Sequence, residues 1–203
     1  MEATKLDTPA DVRAESSAQG RRATAEELKY AFRHHPAGVA LVTADIGDGP
    51  VAMTVSSISS VTLSPPTIVF SASSASSSTP TLRRASTVVV HLLTTADLEL
   101  AKLGARSGAD RFGPHVAWGR LPSGEPYYPA VSSWLRCEVI EHVDLHGSLL
   151  FVLEAIEASP QGGQSETVRQ PLVYHDRKWH ALGGRSVLPE IGAAVANTLR
   201  RDE

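Results

Sequence analysis

The feature that most constrains this chain is a crowd of short β-branched and apolar runs. Val39–Thr43, Val51–Ser57, Ile58–Leu63 and Thr67–Ser71 follow one another with turn-length links, and Thr87–Leu93 comes soon after. Parallel neighbours need a crossover of about a dozen residues or more, usually a helix. The first four runs leave no room for one, so they predict antiparallel pairing and exclude a parallel α/β sheet. Gly47-Asp48-Gly49-Pro50 supplies turn chemistry, and Pro65-Pro66 is expected to end any ladder it meets. Within Val51–Ser57, Val51, Met53 and Val55 alternate with Ala52, Thr54 and Ser56. That period of two predicts one apolar face and one small, hydroxyl-rich face. Further β-like runs are Trp134–Val143, Leu149–Ile156, Leu172–Tyr174 and Trp179–Leu182.

Helical signals are few. Thr24 and Glu27 have capping-box spacing, Leu28 and Phe32 share a face, and His35 before Pro36 marks the end of that helix. Thr95–Arg106 reads as a second helix, and Pro189–Arg201 as a C-terminal one with basic residues near its end. Many short strands with helices between them predict a mainly β fold, a β-barrel with helical insertions. The chain of 203 residues suits one domain. Met1–Ala23 holds Leu6 and Val12 as its only large aliphatics, too few to offset ordering entropy. The expected division is a disordered tail over 1–23, one domain over 24–185, and a C-terminal helix or tail over 186–203.

Charge is nearly balanced, 19 Lys and Arg against 22 Asp and Glu, which argues against a general nucleic-acid binder. The single cysteine, Cys137, excludes an internal disulfide and any multi-cysteine metal centre. No apolar run approaches the ~18 residues of a membrane helix, and the N-terminus lacks the apolar core of a secretory signal. A soluble, cytoplasmic protein without a membrane partner is expected.

Two segments could carry chemistry. Met53–Pro66 strings small hydroxyl residues along two strand-like runs, either as the solvent side of an ordinary sheet or as a surface that a flat polar heterocycle could approach. Ser71–Pro80 reads either as a flexible Ser-rich linker or as a cluster of hydroxyls and amides ahead of a helix start, suited to phosphate. Pro80 suits a first helical position, and Arg83 and Arg84 add positive charge nearby. The eight histidines are scattered. His142 and His146 lie four apart in a β-like run, about 13 Å along a strand, so no metal site is signalled. There is no Gly-x-Ser-x-Gly elbow, Walker A sequence or Gly-x-Gly-x-x-Gly loop.

The ordered strings resolve these alternatives. Phe32-Arg33-His34-His35-Pro36-Ala37-Gly38 running into Val39–Thr43, then Thr54-Val55-Ser56-Ser57 through Ser64-Pro65-Pro66, resemble the flavin reductase family, the FMN-binding split barrels. Ser77-Ser78-Thr79 with Leu82-Arg83 and Val88–His91, then Asp110-Arg111-Phe112, Trp134–Glu138 and Pro171–His175, continue the resemblance from Glu26 to Leu182. It implies a homodimeric split β-barrel holding FMN or FAD near the subunit interface, reduced by hydride from NADH or NADPH. It also implies a partner monooxygenase that receives the reduced flavin. By this resemblance Thr54, Val55, Ser56 and Ser57 line the flavin ring. Ser77, Ser78 and Thr79 hold the phosphate, with Ser71 and Ser73 beside them. His175 is a candidate contact to flavin or nicotinamide, and no general acid or base is named. Arg111 reads either as a phosphate contact or as a surface ion pair. Replacing Ser78 and Thr79 together with alanine is expected to weaken flavin binding and leave the fold intact.

The chain departs from the family at Ser148 and Leu153, where many members carry His and, five residues later, Gly. Leu153 is expected to narrow space that glycine leaves open, and Ser148 bears on nicotinamide handling. His91 stands where Asn is common. The departures motivate an alternative, a flavin-binding protein of the same fold that does not turn over. A pyridoxine-phosphate-oxidase-like enzyme and a non-enzymatic interaction module are the remaining readings.

Overall fold

The computed structural model describes residues 21–159 and 170–188. The predicted C-terminal helix, and the predicted tail as far as residue 20, lie outside these residues.

Helix α1 spans Ala25–Arg33. Its predicted capping box is formed: the Glu27 amide donates to the Thr24 hydroxyl, and the Glu27 carboxylate accepts from the Thr24 amide at 2.8 Å. Next come β1 (Ala37–Gly38), β2 (Ala40–Ala44), β3 (Val51–Val55), β4 (Ser59–Leu63) and β5 (Pro66–Ser73). A short helix α2 (Thr79–Arg84) leads to β6 (Thr87–Leu92), and a single 3₁₀ turn opens α3 (Leu98–Ala105). The chain closes with β7 (Gly119–Arg120), β8 (Pro126–Tyr127), β9 (Trp134–Leu145), β10 (Ser148–Ala158), β11 (Leu172–His175) and β12 (Lys178–Ala181). Among the described residues no helix is long and apolar enough to cross a membrane.

The principal sheet has seven strands in the order β3-β2-β6-β9-β10-β5-β4, every pair antiparallel. The mainly β architecture and the antiparallel pairing follow from the short links. Two expectations need correction. The sheet does not close into a barrel, because no ladder joins the edge strands β3 and β4. These edges are consecutive in sequence, so residues 56–58 bring them together at one corner while the rest of the seam stays unpaired. Nor do the two prolines end the ladder: Leu63 pairs with Pro66, so Ser64 and Pro65 form the turn of a β4–β5 hairpin.

The main core lies within the curl of this sheet. Phe70 and Phe151 face each other across β5 and β10 with ring centroids 4.7 Å apart, and Leu82, Val88, Val90 and Leu149 pack around them. Cys137 is also enclosed here, and burial pushes its thiol up to about 12. A second cluster forms on the other side of β2 and β3, where α3 and Tyr128 cover Leu41 and Ala52. Both faces of β3 are therefore covered. Val51, Met53 and Val55 meet the main core, whereas Ala52 and Thr54 lie under α3.

Candidate functional site

A cavity of about 1160 Å³ opens beside the seam of the sheet. One wall is the β3–β4 link and its neighbours, Ser56, Ser57, Ile58, Ser59 and Ser71. The facing wall is α1 with the β11–β12 hairpin, through Lys29, Tyr30, Arg33, Tyr174, His175 and Arg177. Gly38 forms part of the floor, and a Cβ built there would meet nothing within 4 Å. A hydroxyl-rich wall thus faces a charged one across open space, where Glu26 and Asp176 stand beside Lys29, Arg33 and Arg177.

The link holds its shape because Ser57 spends its hydroxyl internally. It donates to the Ser71 carbonyl and accepts from the Ser71 amide, both at 2.9 Å, clamping the corner to β5. The facing wall is tied by charge. The Arg33 Nε lies 2.5 Å from the Asp176 carboxylate, and the Asp176 amide donates to the Arg33 carbonyl at 3.0 Å. The hydrogen bond and charge of Arg33 hold the Asp176 carboxyl below its ordinary range. His175 is half-buried in this wall, with the His34 and His180 rings at 6.5 and 5.6 Å.

The structure gathers Ser56, Ser57, Ser71 and His175 around one cavity. The remaining predicted residues sit differently. Thr54 donates its hydroxyl to the Ala101 carbonyl of α3 at 2.7 Å, and Val55 packs into the main core. Ser77 is exposed on the turn before α2, and Ser73 accepts the Ala75 amide. Ser78 donates to the Ala52 carbonyl at 3.0 Å and Thr79 to the Ser73 carbonyl at 2.7 Å; both side chains are buried. These two hydroxyls fasten the serine turn to the sheet. Replacing both with alanine is therefore expected to lower stability by about 2 kcal/mol, roughly 1 per buried hydrogen bond. Thermal unfolding without added flavin measures this, and an unchanged melting temperature would refute it.

The structure also places the other residues that the sequence singled out. Leu153 is fully buried in the main core and does not narrow the cavity, because its side chain points into the curl of the sheet. Ser148 opens β10 opposite Ser73. Arg111 makes no ion pair among the described residues; its guanidinium donates to the Arg106 carbonyl at 2.6 Å, away from the cavity lining. The residues that sequence reasoning missed are Lys29, Arg33, Tyr174 and Arg177. The one available signal was His175-Asp176-Arg177-Lys178, a short gap between β-like runs that carries charge and no glycine.

A second cavity of about 450 Å³ is lined by Asp45, Arg120, Ser123 and Glu125, among others. Its charges are already paired: Arg120 lies 2.6 Å from Asp45, and Arg136 lies 2.7 Å from Glu125. Burial alone would raise Glu125, but hydrogen bonds from Ser123, Thr87 and Arg136 outweigh it and hold the carboxyl at about 2. This cavity is read as a structural ion network.

Comparison with known proteins places the chain in a family. Residues 32–183 match the family model described as flavin reductase like domain. A relative named NADH:FMN oxidoreductase, from Rhodococcus qingshengii, is 36% identical over 156 residues, covering 77% of this chain and 81% of the relative. A second, the stachydrine N-demethylase reductase subunit Stc3 of Rhizobium meliloti strain 1021, is 29% identical over 126 residues, 62% of this chain and 54% of that one. Among solved structures, a flavin reductase domain protein from Arthrobacter sp. FB24 superposes with a TM-score of 0.73 at 28% identity, covering 82% of this chain and 99% of that one.

Proposed function

This chain belongs to the flavin reductase-like family, and from that premise we propose that it oxidises NADH, or NADPH, to reduce FMN or FAD at the seam cavity. The observation that carries the reading is the cavity itself, a hydroxyl-rich wall and a charged wall meeting at the open corner of the sheet, with Arg177 its one unpaired Lys or Arg among the described residues. Its volume of about 1160 Å³ is ample for a flavin mononucleotide, since pockets for molecules of that size run about 300–1,000 Å³.

The residues present suit that cofactor. Ser56, Ser59 and Ser71 offer small polar groups to the edge of a flat heterocycle, and the lack of a side chain at Gly38 leaves room for it. Thr54 and Val55 set the path of the strand that carries Ser56. The serine turn that Ser73, Ser78 and Thr79 shape is proposed to hold the flavin phosphate through the exposed Ser77, by its hydroxyl and amide. Flavin, when bound, supplies the hydride-accepting ring. The chain contributes orientation and electrostatics, so no acid or base is required of it. His175 is proposed to border the bound rings from the facing wall.

The finer expectations follow from the same surface. Leu28, Tyr30 and Phe32 of α1 are 58, 71 and 66% exposed, and α1 buries none of its residues. A second copy covering the face that Leu28 and Phe32 share would complete the split-barrel homodimer and enclose the cavity. Reduced flavin is proposed to pass to a partner monooxygenase, a reading supported by a relative named as the reductase component of a flavin-dependent trigonelline monooxygenase. The cytoplasm, which supplies the nicotinamide dinucleotides, is the proposed location.

The test is anaerobic. Each of FMN and FAD is mixed with NADH or NADPH, and bleaching of the yellow absorbance is followed with the loss at 340 nm. Reduction of at least one flavin at catalytic protein concentration is expected, in a protein whose mass in solution is that of two chains. Tight flavin binding without reduction would instead establish the non-turnover alternative. Neither binding nor reduction would reject the proposal.

A further inference from the structure

The hairpin between β11 and β12 turns on two residues, Asp176 and Arg177, both left-handed with φ of 47° and 59°. Such turns favour glycine, because a Cβ crowds the backbone there. The chain makes a similar two-residue reversal between β9 and β10 with His146 at 44° and Gly147 at 95°. It thus uses glycine at the second position where only a turn is needed, and arginine at the cavity mouth. Asp176 has an evident use, since it ties the hairpin to Arg33 of α1.

Arg177 lines the cavity, is exposed, and makes no ion pair among the described residues. The other cations of that lining are engaged: Lys29 lies 2.7 Å from Glu26, and Arg33 lies 2.5 Å from Asp176. A strained backbone kept at a site is a pointer to function. A guanidinium on a short hairpin is well suited to grip phosphate oxygens in a forked geometry.

We infer that Arg177 holds a phosphate of the incoming nicotinamide dinucleotide at the cavity mouth. This rests on the flavin reductase reading and adds to it the residue that anchors the anionic end of the reductant. The contact lies away from the reacting ring, so it is made equally before and during hydride transfer. Its loss raises KM and leaves kcat nearly unchanged.

Three full-length variants test it. Arg177→Gln is expected to raise KM for NADH about tenfold, in line with loss of a charge-assisted hydrogen bond, with kcat within about twofold. The wild-type KM should climb with added salt, and that of R177Q should stay nearly flat. Arg177→Lys should recover part of the loss. Arg177→Gly should raise the melting temperature by relieving the left-handed strain, yet bind NADH as poorly as R177Q. Equilibrium titration with NAD⁺ should show the same weakening without turnover.

A parallel titration with FMN and with riboflavin identifies the source of the phosphate. Weakened FMN binding, with riboflavin and NAD⁺ unaffected, would assign the guanidinium to the flavin phosphate and overturn the inference. So would an unchanged KM and NAD⁺ affinity in all three variants of an active enzyme, leaving the proposed reaction standing. A wild-type protein that oxidises no NADH with any flavin overturns both.

Discussion

Acidifying the protein from pH 7 to pH 4 should remove about 3 kcal/mol of stability through His91 alone, from a fall in pKa of about 2.5 at 1.36 kcal/mol per unit. The ring is fully buried. Nδ1 lies 3.1 Å from the Leu41 carbonyl, and Nε2 accepts the Tyr128 amide at 3.1 Å. Those partners fix the neutral tautomer with its proton on Nδ1. Protonating Nε2 would break the Tyr128 bond and place a charge in the core, so burial pushes the pKa down to about 4. In the unfolded chain the same ring titrates near 6.5. The stabilisation is therefore complete above pH 6.5 and is lost as pH falls toward 4, because the unfolded state takes up the proton first. Below 4.5 Glu125, held at about 2, begins to lose its contribution in the same direction.

His91→Asn keeps one donor and one acceptor without a titrating group, and should flatten the stability profile between pH 6.5 and 4. His91→Ala should cost more at neutral pH, about 3 kcal/mol or above, because it leaves Leu41 and Tyr128 backbone groups without the ring and opens a void. Chemical denaturation at stepped pH measures both. A wild-type slope equal to that of the Asn variant would sink the prediction.

Substitution at Gly104 should disturb both fold and site. Helix α3 crosses β3 so closely that a Cβ on Gly104 would overlap the Leu41 side chain and the Thr54 hydroxyl, and would lie 3.2 Å from the Thr54 amide nitrogen. Side chains can swing aside, but the β3 backbone cannot, so the helix must retreat. Alanine ordinarily favours a helix over glycine by about 1 kcal/mol. Here overpacking of about 1–3 kcal/mol opposes that gain and adds the loss of the Thr54–Ala101 hydrogen bond. Gly104→Ala should therefore be destabilising by about 2 kcal/mol, lowering the melting temperature by roughly 4–8 °C. Gly104→Val, larger and β-branched, should cost more. β3 runs directly into Ser56 and Ser57, and a retreating α3 takes away the Thr54 tether that holds this strand, so flavin affinity should fall with stability. An alanine variant as stable as the parent would show that α3 has room to adjust.

Much of the fold was legible in residue order. The Thr24–Glu27 spacing set the start of α1, because a capping box is local chemistry within one turn. The short links between β-branched runs dictated antiparallel strands, because chain length forbids a crossover. Ser56, Ser57 and Ser71 were named through the resemblance of their motifs to the family, and the structure places all three on the cavity wall. Thr54 was misread as part of an open hydroxyl face. A period of two assigns faces but does not say what covers them, and α3 covers this one. Ser78 and Thr79 look alike in sequence whether they bind a ligand or a carbonyl of their own chain.

Sequence by itself determined the local states: where helices begin, which segments extend, and that strands must pair antiparallel. It also carried the family through the order of its motifs. Tertiary structure alone decided that the sheet stays open at the β3–β4 corner, and that α1 and a hairpin 143 residues away form the opposite wall through Arg33 and Asp176. It alone left Arg177 without an acidic partner among the described residues at the mouth. The physical reason is range. Capping, periodicity and turn chemistry act over a few residues and leave a written pattern, whereas enclosure and charge pairing depend on distances that exist only once the chain has folded.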